Sequence, residues 1–295
     1  MRRTIYFQGG LGNQMFQYAF YRYLEHVGER DVVVSLASPS LNRHQGFELF
    51  RIFPNIVHYP PKIVSSWIKN TYYNIVFLAK NKVQYPHPYL LFEDMNTNLD
   101  AEHLNLHNAR LLMGYWQNKF YSEQVRDILL KDFAFKPFEE AENIQLADVI
   151  KSVENPVSLH IRRGDYFQKN LQVVYGSVCS LEYYKNAISY LQNHVNNTNF
   201  FVFSDDPDWV KENLHIENAH YIAHNKGVNA FRDMQLMSLC KHHVIANSSF
   251  SWWGAWLNPN PDKIIVAPDK WYNKPNDQTL QYLSNEKWIL MQTAN

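Results

Sequence analysis

Cysteine is scarce in this chain. Cys179 and Cys240 are the only two in 295 residues, too few for a disulfide framework and without metal-type spacing, which fits a reducing compartment. Excess charge is missing as well. The 28 Lys and Arg equal the 28 Asp and Glu, so nothing global favours nucleic acid or an anionic membrane, and any anion site must be local. No run approaches the roughly 20 apolar residues of a membrane span, and "MRRTIYFQGG" lacks the apolar core of a signal peptide. The expectation is a cytoplasmic protein with no integral membrane association, at most peripheral at the inner face of the membrane. Two nucleotide motifs are absent too. "GGLGNQ" (9–14) is no P-loop, because no Gly-Lys-Ser/Thr follows. It is no dinucleotide fingerprint either, because Gly9, Gly10 and Gly12 lack the third-glycine spacing. That weighs against an NAD-dependent oxidoreductase.

What is present is a globular pattern, 46% hydrophobic and 19% charged, in a chain long enough for two domains. "TIYFQ" (4–8) reads as a strand, "GGLGN" as a turn, and "QMFQYAFYRYLEHV" as a helix with Met15, Phe16, Ala19, Phe20, Tyr23, Leu24 and Val27 on one stripe. "DVVVSL" (31–36) completes a β–turn–α–β opening. Residues 37–110 are loop-rich with short elements, with a helix over "SSWIKNTYYNIVFLAKN". From "VSLHI" onward strands and helices alternate regularly: "LEYYKNAISYLQNHV", "FFVFS", "DPDWVKENL", "HYIA", "NAFRDMQLMSLCK", "HVIA", "SFSWWGAWLN" and "KIIVAP". Such alternation argues for a parallel sheet covered on both faces, with ligands beyond the carboxyl ends of the strands. The boundary is expected near 150, giving domains 1–150 and 151–295.

Four corners carry polar chemistry. In "VSLHIRRGDYF" (157–167) the alternation puts His160 and Arg162 on one face and Arg163 on the other, with Gly164 and Asp165 in the turn. An arginine fork matches phosphate oxygens, while the plainer reading is an Arg–Asp pair that orders the turn. Arg163-Gly164-Asp165 also spells an adhesion tripeptide, but it follows a strand rather than capping an exposed loop. In "HVIANSSFSWWGAWLN" the turn Asn247-Ser248-Ser249 opens a helix near Phe250, where free amides and hydroxyls form an anion cradle or merely an N-cap. In "FFVFSDDPDWV" Asp205 ends a strand, placed to accept from a base edge or ribose. Asp206 and Asp208 invite an Asp-x-Asp metal reading that first-turn capping explains equally well. The fourth corner is "GGLGNQ", where the backbone of Gly10 and Gly12 can approach a ligand closely and Asn13 stands at the helix entrance. Two phosphate corners, one base corner and one facing corner make the arrangement of a nucleotide-sugar transferase.

"GGLGNQMFQYAF", "HIRRGDY", "FSDD" and "NSSFSWWGAWLN", in this order, together with "FELFRIF" (47–53) and "GYWQNKFY" (114–121), resemble glycosyltransferase family 11, the α-1,2-fucosyltransferases of bacterial type. The resemblance implies an α/β fold of GT-B type, two Rossmann-like domains facing each other across a cleft, with 1–150 binding acceptor and 151–295 binding GDP-fucose. It implies inverting transfer of fucose from GDP-β-L-fucose to the 2-hydroxyl of a galactoside, without a metal or other cofactor. Partners would be GDP-fucose and a galactose-terminated oligosaccharide or lipid-linked glycan, not nucleic acid. Arg162 would grip the β-phosphate with His160 beside the nucleotide and Asp205 on guanine or ribose. Asn247, Ser248, Ser249 and Phe250 would hold phosphate, and Asn13 would approach the reacting centre from the other domain. Arg163, Gly10 and Gly12 would join the GDP-fucose site, Asp165 matches the motif as a catalytic residue, and the base would be Asp165, Glu48 or His44. Tyr115 and Trp116 join His44 and Glu48 as acceptor candidates. The alternatives are another donor or linkage on the same scaffold, and a non-catalytic carbohydrate-binding protein.

Overall fold

The computed structural model describes every residue except 59, 80–88, 94–100, 102–103, 164–171, 177, 276 and 294–295. It divides into two units, Met1–Lys136 and Pro137–Asn295. The division falls before the expected 150 because helix α7 (Ala141–Ser152) belongs to the second unit. Its Ala147 and Ile150 pack with Phe201, Phe203 and Leu236, so the helix is part of that core rather than a linker.

The first unit is a parallel sheet of β1 (Arg3–Tyr6), β2 (Val32–Ser35), β3 (Leu90–Phe92) and β4 (Leu111–Met113) in the order β2-β1-β4-β3. After β1 comes α1 (Leu11–His26). Its burial goes beyond the expected stripe. Leu11, Met15, Phe16, Ala19, Phe20 and Leu24 are buried, and so are Gln14, Gln17, Tyr18 and Tyr21, whereas Val27 is exposed. The rest of the unit adds short helices α2 (Leu49–Ile52) and α3 (Pro54–His58), then α4 (Trp67–Leu78), α5 (Lys119–Gln124) and α6 (Arg126–Asp132).

The second unit is a parallel sheet of six strands: β5 (Asn155–Ile161), β6 (Thr198–Ser204), β7 (Ala219–Ile222), β8 (His242–Val244), β9 (Ile265–Pro268) and β10 (Ile289–Met291). Helices α8 (Leu181–His194), α9 (Pro207–Asn213), α10 (Phe231–Leu239), α11 (Ser249–Leu257) and α12 (Thr279–Leu283) are interleaved. The alternation predicted for these strands holds. Val157, Leu159, Phe200 and Val202 pack on the α8 side, while Phe201 and Phe203 pack with α7 and α10. Strand order is β10-β9-β8-β5-β6-β7. The chain runs outward from β5 through β6 and β7, then returns to β8 on the other side of β5 and runs outward again. That reversal, the switch point of a doubly wound sheet, opens a crevice beyond the carboxyl ends of β5 and β8, where such sheets take their ligands.

Candidate active site

The predicted phosphate corner lies at that reversal. His160 is buried at 6% exposure near the end of β5, its ring 5.8 Å from the Phe250 ring in the first turn of α11. Burial, with Arg162 beside it, drives the His160 pKa down to about 3, so the imidazole is neutral at any ordinary pH. Its buried Nδ1 has no hydrogen-bond partner. Arg162 follows directly. Its guanidinium meets Asp205 at 3.0 Å and keeps 34% of its side chain exposed. Asp205 also accepts from the Arg163 backbone N–H at 2.8 Å, so one carboxylate at the end of β6 fixes the whole exit of β5. Arg163 is braced from both sides. Its Nε donates to Asp206 at 3.1 Å, and its guanidinium carbon lies 3.7 Å from the centre of the Trp209 ring.

An Arg–Asp pair exists, formed with acids that directly follow β6, and the Arg162–Asp205 pair is partly open to solvent. Asp165 and Gly164 lie outside the described residues. Asp205 is committed to Arg162 and the Arg163 amide. Asp206 caps α9 by accepting from the Trp209 N–H, and Asp208 sits in the first turn of that helix. Among the described residues, no three His, Cys, Asp or Glu side chains gather as a metal site.

Across the reversal, Ser248 is the N-cap of α11, its hydroxyl accepting from the Phe250 N–H at 3.3 Å. Ser249 and Phe250, both half-buried, begin the helix at this corner, where the positive end of its dipole lies. The helix lies fast in the core through Trp252, Trp253 and Trp256. Asn247 is turned inward: its side chain is 2% exposed and its amide donates to the Trp271 and Tyr175 carbonyls, so it ties loops together. The hydroxyl of Tyr183 likewise anchors the strand exit on the Ile245 carbonyl at 2.6 Å.

The corresponding corner of the first unit follows β1. Gly9 has φ +79°, and a side-chain carbon there would lie 2.5 Å from the Asn13 Nδ2. A Gly10 side chain would lie 3.4 Å from the His44 ring, so the exposed His44 borders this turn. Asn13 is half-buried and accepts from Gln117 at 2.8 Å. Gly12 is buried inside the first turn of α1. Two fully buried glutamines on α1 hold the turn. Gln14 donates to the Gly9 and Gly46 carbonyls and accepts from the Glu48 N–H, while Gln17 accepts from Gln8 N–H and donates to the Gln8 and Gly114 carbonyls.

Two acceptor candidates turn inward. Trp116 is fully buried and stacked on Phe20 at 3.9 Å, so it packs as core. Glu48 is 7% exposed, pairs with Arg51 at 2.9 Å and accepts from the Leu11 N–H at the start of α1. Desolvation still lifts its pKa above the ordinary carboxylate range. Tyr115 remains half-buried at the site's edge, its hydroxyl pKa raised by burial and by Glu93. Sequence reasoning did not assign the holding roles of Gln14, Gln17, Gln117 and Asp206. A signal existed for the first two, because a polar amide inside an apolar helical run is out of pattern unless its hydrogen bonds go to backbone.

Residues 1–292 match the family model described as glycosyl transferase family 11. The chain is 34% identical to an alpha-1,2-colitosyltransferase of Escherichia coli, over 95% of this chain and 96% of that relative. It is 32% identical to the O-antigen biosynthesis glycosyltransferase WbnK of Escherichia coli, over 95% and 97%. Among solved structures it resembles the fucosyltransferase NodZ from Bradyrhizobium, with TM-score 0.50 and 12% identity over 88% of this chain and 94% of that one. The last likeness speaks to fold, and agrees with two parallel-sheet units of GT-B type. The segments that build both corners fall inside a match that runs almost end to end, and by that match the chain belongs to glycosyl transferase family 11.

Proposed function

We propose that this protein is an inverting fucosyltransferase, moving L-fucose from GDP-β-L-fucose to the 2-hydroxyl of a terminal galactoside in α-1,2 linkage. One observation carries the reading: Arg162, held by Asp205, stands at the strand-order reversal together with the N-terminus of α11. As the sugar leaves with oxocarbenium character, negative charge grows on the departing β-phosphate. A guanidinium and helix amides already oriented toward that charge stabilise the transition state more than the ground state. In this reading Arg162 grips the β-phosphate, Ser248, Ser249 and Phe250 line the cradle, and neutral His160 lies beside the nucleotide. Asp205 fixes Arg162, a role different from the guanine or ribose contact implied by the resemblance. Asn13 approaches the reacting centre, His44 and Tyr115 serve the acceptor, and the base is Asp165, His44 or Glu48; Gly10 and Gly12, donor contacts by the resemblance, are assigned here to the acceptor corner.

No metal is required in this scheme, because the arginine and the helix supply the positive charge. Transfer undiminished in EDTA is the expected result, and its abolition would give the charge to a cation. The acceptor is a galactose-terminated oligosaccharide or a lipid-linked glycan made in the cytoplasm at the inner face of the membrane. The 34% identity to an alpha-1,2-colitosyltransferase favours one second reading, transfer of colitose, which is fucose without its 3-hydroxyl. Incubation with GDP-fucose and with GDP-colitose, lactose as acceptor, and linkage analysis of the product tests both. Fucose 1,2-linked to galactose is the expected outcome. A clear preference for GDP-colitose would replace the donor. Calorimetry showing no binding of GDP would sink both readings in favour of a sugar-binding protein.

A further inference from the structure

Helix α4 (Trp67–Leu78) is turned the wrong way round for a surface that faces water. Its asparagines point inward. Asn70 accepts from the Ser35 hydroxyl and Asn74 from the Tyr6 hydroxyl, while the Tyr73 hydroxyl meets Thr4 Oγ1 at 3.0 Å. Tyr73 and Val76 pack on the core of the first unit, but five further apolar residues point outward. Trp67 is 78% exposed, Ile68 74%, Tyr72 57%, Ile75 59% and Leu78 77%, all on one stripe at helical spacing. A contiguous apolar patch of this kind on a folded protein marks a docking surface. Beside it, Ile68, Tyr72, Val76 and Tyr89 line an apolar groove of about 560 Å³ that Lys69 and Arg110 also border.

Charge identifies the occupant. No Asp or Glu occurs between Glu48 and Glu93, in a chain whose acids and bases balance overall. Lys62 and Lys69 are exposed, and neither they nor Arg110 pair with a carboxylate among the described residues. A second copy docked face to face would set these cations against their own kind. An anionic bilayer complements them: lysines are drawn to lipid phosphates, and tryptophan and tyrosine settle at the headgroup level. We infer that the α4 face of the first unit docks on an anionic lipid bilayer, with Trp67, Ile68 and Tyr72 entering the headgroup layer and Lys62 and Lys69 meeting lipid phosphates. The surface would hold the protein where a lipid-linked acceptor is displayed, yet its existence does not depend on which sugar is transferred.

The test is sedimentation of the full chain with vesicles of phosphatidylcholine alone or mixed with phosphatidylglycerol. The wild-type protein is expected to pellet with the mixed vesicles, less as salt rises, and at least about tenfold more weakly with phosphatidylcholine alone. Trp67→Ser/Ile68→Ser should lose about tenfold or more on the mixed vesicles. Lys62→Gln/Lys69→Gln should lose the preference for phosphatidylglycerol. Both variants alter exposed residues, and unchanged thermal midpoints and transfer to soluble lactose would show them folded. The inference fails if the wild-type protein stays in solution with mixed vesicles at low salt, or if the variants pellet as it does. It fails equally if the wild-type protein elutes as a dimer that Trp67→Ser/Ile68→Ser splits, because a second copy would then be the occupant.

Discussion

Each unit begins with a strand beside a reversal of strand order, and each places a polar turn at that strand's carboxyl end, yet the two turns are built from opposite materials. The turn after β5 is ionic: Arg162 and Arg163 are held by Asp205 and Asp206 from the neighbouring strand's exit. The turn after β1 carries no charge of its own. Gly9 is held by the amide of Gln14, Gln8 and Gly114 by that of Gln17, and Asn13 by Gln117. The ionic turn suits a ligand that gains charge as it reacts, since a paired guanidinium keeps its orientation while part of it stays open to solvent. The neutral turn suits hydroxyl groups, which need donors and acceptors without a strong field.

The contrast breaks most directly at Arg162. Arg162→Ala should cut transfer by about 10³-fold or more, by analogy with arginines that stabilise a phosphoryl leaving charge. Its Asp205 pair is partly exposed and should add only about 0–1 kcal/mol to stability, so the melting temperature should barely move. Donor turnover assays read the first effect and thermal melts the second. Arg162→Lys should not restore the rate, because an ammonium lacks the planar fork. Retained turnover in Arg162→Ala would remove the leaving-charge role and with it the functional meaning of the difference.

On the neutral side the largest effect belongs to Gln17. Gln17→Leu strands the Gln8 N–H, the Gln8 carbonyl and the Gly114 carbonyl in a buried place. The expected loss is about 2–4 kcal/mol in urea unfolding, carried by the first unit. A loss below about 0.5 kcal/mol would mean that water replaces the amide and that the turn is not built as described.

Legibility from sequence followed the same divide. The second unit could be read because its first two strands, β5 and β6, are seven residues long and alternate. Val157, Leu159 and Ile161 against Ser158, His160 and Arg162 already places the site face. The three-residue strands β3, β4 and β10 carry too little period to register. The acids that hold Arg162 and Arg163 were visible as residues but not as partners, because pairing across β5 and β6 depends on a register that no local pattern encodes. Trp116 reads as a sugar-stacking aromatic beside Tyr115, but a φ of +56° turns it into the core against Phe20. Asn247 reads as a ligand donor for the same reason that it is a good clamp: it carries both donors and acceptors.

A pH series sharpens the contrast at the ionic corner. His160 has its pKa lowered to about 3 by burial and by Arg162, and His243, bonded to Ser158 at 2.7 Å, is lowered as well. Between about pH 6.5, where an unfolded histidine titrates, and pH 3 the unfolded chain binds the proton that the folded site refuses. Stability from His160 is therefore complete above that range and falls as pH drops, by about 1.4 kcal/mol per pH unit. Asp233 works in the opposite direction, because burial lifts its pKa to about 7 and protonation favours the fold. The informative quantity is therefore a difference between two proteins. His160→Gln should lose about 2 kcal/mol less than wild type between pH 6.5 and 5 in urea titrations. Equal losses would mean that His160 is not buried neutral in solution.

The smallest effect, and the most selective, is expected at Gly9. Gly9→Ala puts a side chain on a residue at φ +79°, at a cost of about 1–2 kcal/mol, and drives its carbon to 2.5 Å from the Asn13 Nδ2. Asn13 must rotate away, which breaks its 2.8 Å bond to Gln117. The turn is uncharged and belongs to the first unit, so, where this corner serves the acceptor, the KM for the acceptor should rise several-fold while the KM for the donor stays put. Initial rates with each substrate varied in turn separate the two constants. A matching rise in the donor KM would mean that the glycine turn serves the nucleotide as well, and the division of labour between an ionic and a neutral corner would no longer hold.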